Sequence, residues 1–125
     1  MLPFFKRKAR ILVLDDDVAI QKLVAMLLRR QGHRVDVVGR GAGAIEALQK
    51  RTYDAILLDL MMPHEGGMTV LRHLRDKSPG SLQKVILLTA TPTPVLKNIA
   101  GEVFAVIRKP FEADDLLATV ARVIQ

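Results

Sequence analysis

The stretch ILVLDDD, residues 11–17, joins a buried-type strand to a cluster of acidic side chains. Its first four residues are large and aliphatic, which is typical of a strand covered on both faces. Asp15, Asp16 and Asp17 follow at once, and three adjacent carboxylates repel one another. The chain is basic overall, with a net charge of +6, so this local negative charge needs a reason. The stretch predicts a core strand whose carboxyl end carries an acidic site.

Composition limits the class of protein. A chain of 125 residues, half of them hydrophobic, fits one domain with a full core. It contains no cysteine, so neither disulfides nor thiolate metal ligands can hold the fold, which fits a reducing cytoplasm. No apolar run approaches the ~18 residues that a membrane-spanning helix needs. The N-terminus, MLPFFKRKAR, lacks the features of a signal peptide. We therefore expect a cytoplasmic location and no membrane span.

The positive charge is concentrated at the N-terminus. Residues 1–10 contain four basic residues and no acid, which leaves 15 basic and 13 acidic residues in the rest of the chain. We expect residues 1–8 to form a basic tail and residues 9–125 to form the domain. The tail is interpreted as a solvated leader, although such a segment could also contact nucleic acid or anionic lipid. Direct binding of nucleic acid is not expected.

Five short apolar runs alternate with segments of helical period. The predicted strands are residues 11–14, 35–38, 55–58, 85–88 and 103–107, and Asp36 suits an edge strand. The predicted first helix has apolar residues at helical spacing and a glycine at its C-terminal cap. These residues are Ile20, Leu23, Val24, Leu27, Leu28 and the capping Gly32. The other predicted helices lie at about 42–50, 68–77, 95–100 and 112–124.

This alternation predicts an α/β fold: a (βα)₅ doubly wound domain with a parallel five-stranded sheet. Ligands of such sheets bind outside the carboxyl ends of the strands. The residues expected there are Asp15, Asp16, Asp59, Thr89 and Lys109. An all-oxygen acidic site suits Mg²⁺. Together with Lys109, such a site is suited to a phosphoryl group, and Asp59 is the natural nucleophile.

Four segments resemble one family. ILVLDDDVAI, DAILLDLMMP, VILLTA and RKPF occur in this order, each at a predicted strand end. Together they resemble the response-regulator receiver domain of two-component signalling, in the manner of a single-domain chemotaxis regulator, over about residues 9–125. The resemblance implies a flavodoxin-like sheet of order 2-1-3-4-5. It also implies a switch that becomes phosphorylated and dephosphorylated, rather than an enzyme acting on a separate substrate.

The resemblance also implies a role for each site residue. Asp59 matches the phosphoacceptor, Thr89 the hydroxyl residue and Lys109 the lysine that contacts the phosphoryl group. Asp15 and Asp16 match the acidic pair, with Asp16 as the direct Mg²⁺ ligand and Asp15 acting through water. Met61 would offer its backbone carbonyl to the metal, and Asp17 is expected to cap the first helix. The implied partners are a sensor histidine kinase or phosphotransfer protein and an unknown downstream protein, with a homodimer possible.

The sequence departs from the family pattern at three places. Val106 occupies the position, three residues before Lys109, where the family usually has Tyr or Phe. Gly66 stands where an acid usually precedes the glycine of the loop after MMP, with Glu65 one place earlier. The region between Thr89 and Lys109 is about two residues short and contains two prolines, which restrict the backbone. We therefore expect a short or irregular fourth helix and an altered readout of phosphorylation.

The sequence leaves two other functions open. Gly39, Gly41 and Ala44 match the G-x-G-x-x-A pattern of a dinucleotide-binding turn, with Asp59 20 residues beyond Gly39. A complete strand and helix precede this pattern, however, and it leaves Asp15, Asp16 and Lys109 unexplained. The other alternative is a degenerate receiver that acts as an interaction module and is never phosphorylated. The histidines lack metal-ligand spacing and are expected at the surface; they are His33, His64 and His73.

Overall fold

The computed structural model describes residues 8–62, 66–90 and 93–125. The predicted basic tail lies outside these residues except for Lys8, which is exposed. The strands are β1 Arg10–Leu14, β2 Arg34–Val38, β3 Ala55–Leu58, β4 Val85–Thr89 and β5 Ala105–Arg108. The helices are α1 Val18–Arg30, α2 Gly41–Lys50, α3 Gly67–Lys77, α4 Thr93–Leu96 and α5 Ala113–Ile124. Short 3₁₀ turns lie at Pro79–Lys84 and Ala100–Glu102.

The five strands form one parallel sheet in the order β2-β1-β3-β4-β5. The predicted fold class and strand order are confirmed. Because every strand runs in the same direction, all five carboxyl ends meet at one edge of the sheet. The candidate site residues Asp15, Asp59, Thr89 and Lys109 lie at this edge.

The core has two layers, one on each face of the sheet. Ile11 and Val13 face the layer formed with α1 and α5. Leu12 and Leu14 face the other layer, formed with α2 and α3. All four side chains are at most 1% exposed. This two-sided burial explains why β1 is continuously apolar instead of alternating.

Helix α1 begins and ends with the predicted caps. The Asp17 carboxylate accepts hydrogen bonds from the backbone N–H groups of Ala19 and Ile20, at 2.9 and 3.4 Å. Gly32 follows the helix with φ of 90°, a conformation that side chains disfavour. Leu23, which belongs to the apolar spacing of this helix, is 40% exposed, whereas Ala25, outside that spacing, is buried. The buried stripe is centred on Val24 and Leu28, which places Leu23 at its margin.

The segment before β5 differs most from the prediction. Helix α4 has only four residues, Thr93–Leu96, as the prolines lead us to expect, but it lies earlier than the predicted 95–100. Strand β5 begins at Ala105, not at residue 103. Val103 is buried yet precedes the strand, so its side chain contributes to the core from a loop. An apolar run cannot separate these two cases, because a buried loop residue and a strand residue carry the same hydrophobic signal.

Asp36 lies on the edge strand β2, as predicted, and joins a polar cluster that the sequence did not indicate. Its Oδ2 accepts hydrogen bonds from Tyr53 Oη at 2.7 Å and from Arg10 Nη1 at 3.2 Å. The Tyr53 hydrogen bond, and then Arg10, lowers the pKa of Asp36 despite its partial burial. Burial, and then Asp36, raises the pKa of Tyr53 to about 12. The cluster ties the first two strands to the loop before β3.

Candidate functional site

The carboxyl edge of the sheet brings together residues from four strands. Asp15 follows β1, Asp59 follows β3, Thr89 ends β4 and Lys109 follows β5. Backbone hydrogen bonds extend the strand pairing to these positions. Asp59 N–H donates to the Leu14 carbonyl, and Lys109 N–H donates to the Thr89 carbonyl, both at 3.0 Å. The site residues are therefore held in place by backbone hydrogen bonds that continue the pairing of the sheet.

The ammonium of Lys109 lies between two acids. Its Nζ is 2.5 Å from Asp15 Oδ2 and 3.4 Å from Asp59 Oδ2. Asp15 and Asp59 are only 1% and 3% exposed, and Thr89 is fully buried. Burying carboxylates is costly unless a positive charge accompanies them. Lys109 supplies that charge from the position after β5, 50 residues from Asp59 and 94 from Asp15 in the sequence.

Asp15 is oriented by its local backbone. Its Oδ1 accepts a hydrogen bond from the Asp17 N–H at 2.9 Å. Its carbonyl accepts one from Gln21 Nε2 at 2.5 Å. A Cβ at Gly39 would lie 3.4 Å from the same Gln21 nitrogen, so this glycine leaves room for the contact. The sequence did not indicate Gln21. Its role depends on the first turn of α1, which brings its side chain to the carbonyl of Asp15.

Asp59 is fixed at both its side chain and its backbone. The Met61 N–H donates to Asp59 Oδ1, and the Gly67 N–H donates to the Asp59 carbonyl, both at 2.9 Å. A Cβ at Gly67 would lie 2.6 Å from that carbonyl oxygen, so no side chain fits there without movement. The first turn of α3 thus packs directly on the backbone of Asp59.

Burial and charge act in opposite directions on the ionisable groups. Burial raises the pKa of Asp59, and the nearby Asp15 charge adds to this, while the Met61 N–H and Lys109 oppose it. Burial alone would lower the pKa of Lys109, but its contacts with Asp15 and Asp59 outweigh burial and raise it. The lysine therefore stays charged, and Asp59 is a less acidic carboxyl group than usual.

Three carboxylates form a donor set suited to a hard cation. Oxygens of Asp15, Asp16 and Asp59 lie within 4.8 Å of one another. Asp16 is exposed, so one side of the set faces solvent. Carboxylate oxygens with open positions for water suit Mg²⁺, which binds few protein ligands. The residues present therefore fit this ion, and they are the acids that the sequence indicated. The part of Met61 that the geometry places at the site is its N–H, and a contact from its carbonyl to a metal stays a prediction.

The glycines of the dinucleotide alternative belong to the turn between β2 and α2, and not to the turn that follows the first strand. Gly39 follows the edge strand β2, Gly41 is the first residue of α2, and Ala44 lies on the buried side of α2. His33 is half-buried, and its Nδ1 accepts a hydrogen bond from the Ala9 N–H, so it is not the plain surface residue we expected. His73 is also half-buried, and His64 lies outside the described residues.

The fold and the acidic site define the class of protein. The profile of the response regulator receiver domain matches residues 11–121. The chain belongs to this family. None of the helices in the described part of the chain is long and apolar enough to cross a membrane.

Sequence relatives agree with this class. The chain is 35% identical over 113 residues to the transcriptional regulatory protein DltR of Streptococcus agalactiae. It is 35% identical over 114 residues to the DNA-binding response regulator MtrA of Mycobacterium leprae. The matches cover 89% and 90% of this chain but 50% of each relative. The chain thus spans about half the length of these curated relatives. The comparisons give no support to a dinucleotide-binding domain or to a degenerate receiver.

Solved structures show the same architecture. The chemotaxis response regulator CheY4 of Vibrio cholerae superposes with a TM-score of 0.82 at 28% identity, over 94% of this chain and 99% of that one. The receiver domain of the sensor histidine kinase PA1611 from Pseudomonas aeruginosa gives a TM-score of 0.82 at 28% identity, over 94% and 98%. That structure has a magnesium ion coordinated in its active-site cleft.

Proposed function

We propose that Asp59 accepts a phosphoryl group from the phosphohistidine of a sensor kinase or phosphotransfer protein. The observation that carries the proposal is the position of Lys109 Nζ between the buried carboxylates of Asp15 and Asp59. An Asp59 oxygen attacks phosphorus, the phosphorus–nitrogen bond breaks, and the electron pair remains on the imidazole. Lys109 and the Thr89 hydroxyl then contact phosphate oxygens, and Lys109 offsets part of the added negative charge.

The donor set supports Mg²⁺ as the cofactor. Asp16 and Asp59 would hold the ion, with the Met61 carbonyl, and Asp15 would act through water. The bound ion would neutralise negative charge on the phosphoryl oxygens. Asp15 keeps its contact with Lys109 in this proposal, so the protein's own positive charge stays beside Asp59.

Phosphorylation would act as a switch. Water attack on the aspartyl phosphate returns the resting state, so we assign no turnover on a separate substrate. Contacts of Lys109 and Thr89 with the phosphoryl group would shift a two-state equilibrium near α4 and β5. The downstream partner is a protein, and a homodimer through that face stays a prediction, as does a cytoplasmic location.

The nucleophile assignment predicts the behaviour of Asp59→Asn. The amide cannot form an acyl phosphate, so phosphate uptake from a small phosphodonor should be abolished. The wild type should gain one phosphate in a Mg²⁺-dependent manner. Intact-mass measurement with and without Mg²⁺ checks both outcomes.

The control variant is Asp76→Asn, which removes an exposed carboxylate from α3. It should incorporate phosphate like the wild type. Stable incorporation by Asp59→Asn would show that another residue is the nucleophile. Absence of uptake by the folded wild type would favour the inert interaction module instead.

A further inference from the structure

A second polar cleft lies at the end of the sheet opposite Asp59. It has a volume of about 520 Å³ and lies between the end of α2, the start of β3, the last turn of α3 and the 3₁₀ turn Pro79–Lys84. Its floor is apolar and includes Tyr53, Ile56 and Leu74, each at most 2% exposed. Small-molecule sites usually occupy about 300–1,000 Å³ and combine an apolar wall with a few polar groups.

The rim of the cleft is positively charged. Arg51, Lys77 and Lys84 contribute cationic side chains, and His73 lies among them. None of the described residues that line the cleft is acidic. The rim therefore concentrates three cations without an acid among its described residues, whereas residues 11–125 as a whole contain 15 basic and 13 acidic residues.

Hydrogen-bond donors on the rim are partly fixed in place. Lys84 Nζ donates to the Tyr53 carbonyl at 3.1 Å, which orients the ammonium and leaves its other N–H groups available. The hydroxyls of Ser78 and Ser81 lie 2.8 Å apart and share one hydrogen, so one further O–H can donate outward. Ammonium, guanidinium and hydroxyl donors around one cleft match the oxygens of a phosphate group.

We propose that this cleft binds a small phosphorylated molecule of nucleotide size. The phosphate groups would contact Arg51, Lys77 and Lys84, and an apolar ring would cover Tyr53 and Leu74. The volume accommodates a mononucleotide but not a duplex. The site is separate from Asp59, so it does not depend on the phosphoacceptor proposal.

The test uses adenosine triphosphate and pyrophosphate as probes, with a chelator present to exclude metal-mediated binding at Asp59. Backbone amide NMR signals should shift saturably in residues 48–53, 73–78 and 81–84. Arg51→Gln and Lys77→Gln, both at exposed positions, should each weaken binding about tenfold through loss of a charge-assisted contact. Arg30→Gln removes an exposed cation from α1, on the other face of the sheet, and should bind like the wild type.

Asp59→Asn should also bind like the wild type, which separates this site from the acidic one. Equal weakening by Arg30→Gln would mean non-specific attraction and would overturn the proposal. Shifts centred on Asp15 and Asp59, or the absence of saturation, would overturn it too. If a short oligonucleotide bound more tightly than the mononucleotide, the proposal would be wrong, and the cleft would be a nucleic-acid site instead.

Discussion

Lys109 contributes more to the acidic site than a charge opposite a metal. It holds Asp15 and Asp59 on the two sides of one ammonium, at 2.5 and 3.4 Å. Without it, two nearly inaccessible carboxylates would face each other, a costly arrangement in a poorly solvated site. The lysine therefore keeps the site folded and charged before any ligand arrives. A phosphoryl group on Asp59 would meet a positive charge that is already in position.

Tyr53 is the only tyrosine in the chain, so its ionisation can be measured directly. Burial, and then its contact with Asp36, raises its pKa to about 12. We expect phenolate absorbance in the folded protein to appear near that value. In Asp36→Asn the pKa should fall but stay above the ordinary 10.0, because burial remains.

The same shift has a consequence for stability. The pKa of Tyr53 is higher in the folded protein than in the unfolded chain. The neutral side chain therefore contributes to the free energy of unfolding, and this contribution is fully present below pH 10.0 and is lost as pH rises towards 12. In urea unfolding between pH 10 and 12, the free energy of unfolding should fall more steeply for the wild type than for Asp36→Asn. Glu46→Gln, an exposed acid paired with Lys50, serves as the control and should match the wild type. A Tyr53 pKa of 10.0 in the folded protein would contradict the assignment.

At the scale of elements, the first turn of α3 supports Asp59. Gly66 caps this helix without a side-chain hydrogen bond, and a Cβ there would lie 2.8 Å from that of Met62. An acid at this position, as the family pattern has, would require Met62 to move. The turn relies instead on close backbone packing, with Gly67 against the carbonyl of Asp59.

Gly67→Ala should therefore disturb both stability and phosphorylation. The added Cβ must displace either Asp59 or α3, which should lower the free energy of unfolding by about 1–3 kcal/mol and slow phosphate uptake. Gly80→Ala is the matched control, since nothing lies within 4 Å of its Cβ position. Denaturant unfolding and uptake kinetics measure the two effects. Equal values for the two variants would show that the close approach at Gly67 can relax freely.

The short α4 and the neighbouring Val106 bear on the proposed readout of phosphorylation. Val106 is half-buried and lines a cleft of about 300 Å³ with Leu96, Lys97, Ala100 and Arg108. An aliphatic residue at this position cannot report phosphorylation by rotation of an aromatic ring. We expect backbone movement in residues 91–96 to carry the signal, of which 93–96 belong to the described chain. Structures with and without a phosphoryl mimic should differ there, and an unmoved segment would refute this route.

For the whole molecule, we expect Mg²⁺ at the acidic site to stabilise the fold. Mg²⁺ that binds only the folded state should raise the free energy of unfolding by about 1.4 kcal/mol at ten times its Kd. Thermal unfolding with Mg²⁺, compared with NaCl at equal ionic strength, measures this effect. Asp16→Asn should lose most of the stabilisation, and Asp76→Asn should keep it. An equal response of Asp16→Asn would show that the ion binds elsewhere.

Most of the fold could be predicted from local patterns. A strand such as residues 55–58 is apolar throughout and is bounded by polar residues, so its limits are visible in the sequence. The position of α4 and the first residue of β5 could not be predicted in the same way. Prolines weaken the helix signal there, and Val103 is buried in a loop.

The sequence by itself determined the parallel α/β order and the acids, hydroxyl and lysine at the strand ends, because a residue after a strand must follow that strand to the edge of the sheet. Only the tertiary structure decided which groups meet. Lys109 pairs with Asp15 across 94 residues, Tyr53 Oη donates to Asp36, and three cations surround one cleft. These contacts form because the packed layers bring distant segments within a few ångströms of one another. Local sequence patterns do not predict such distances.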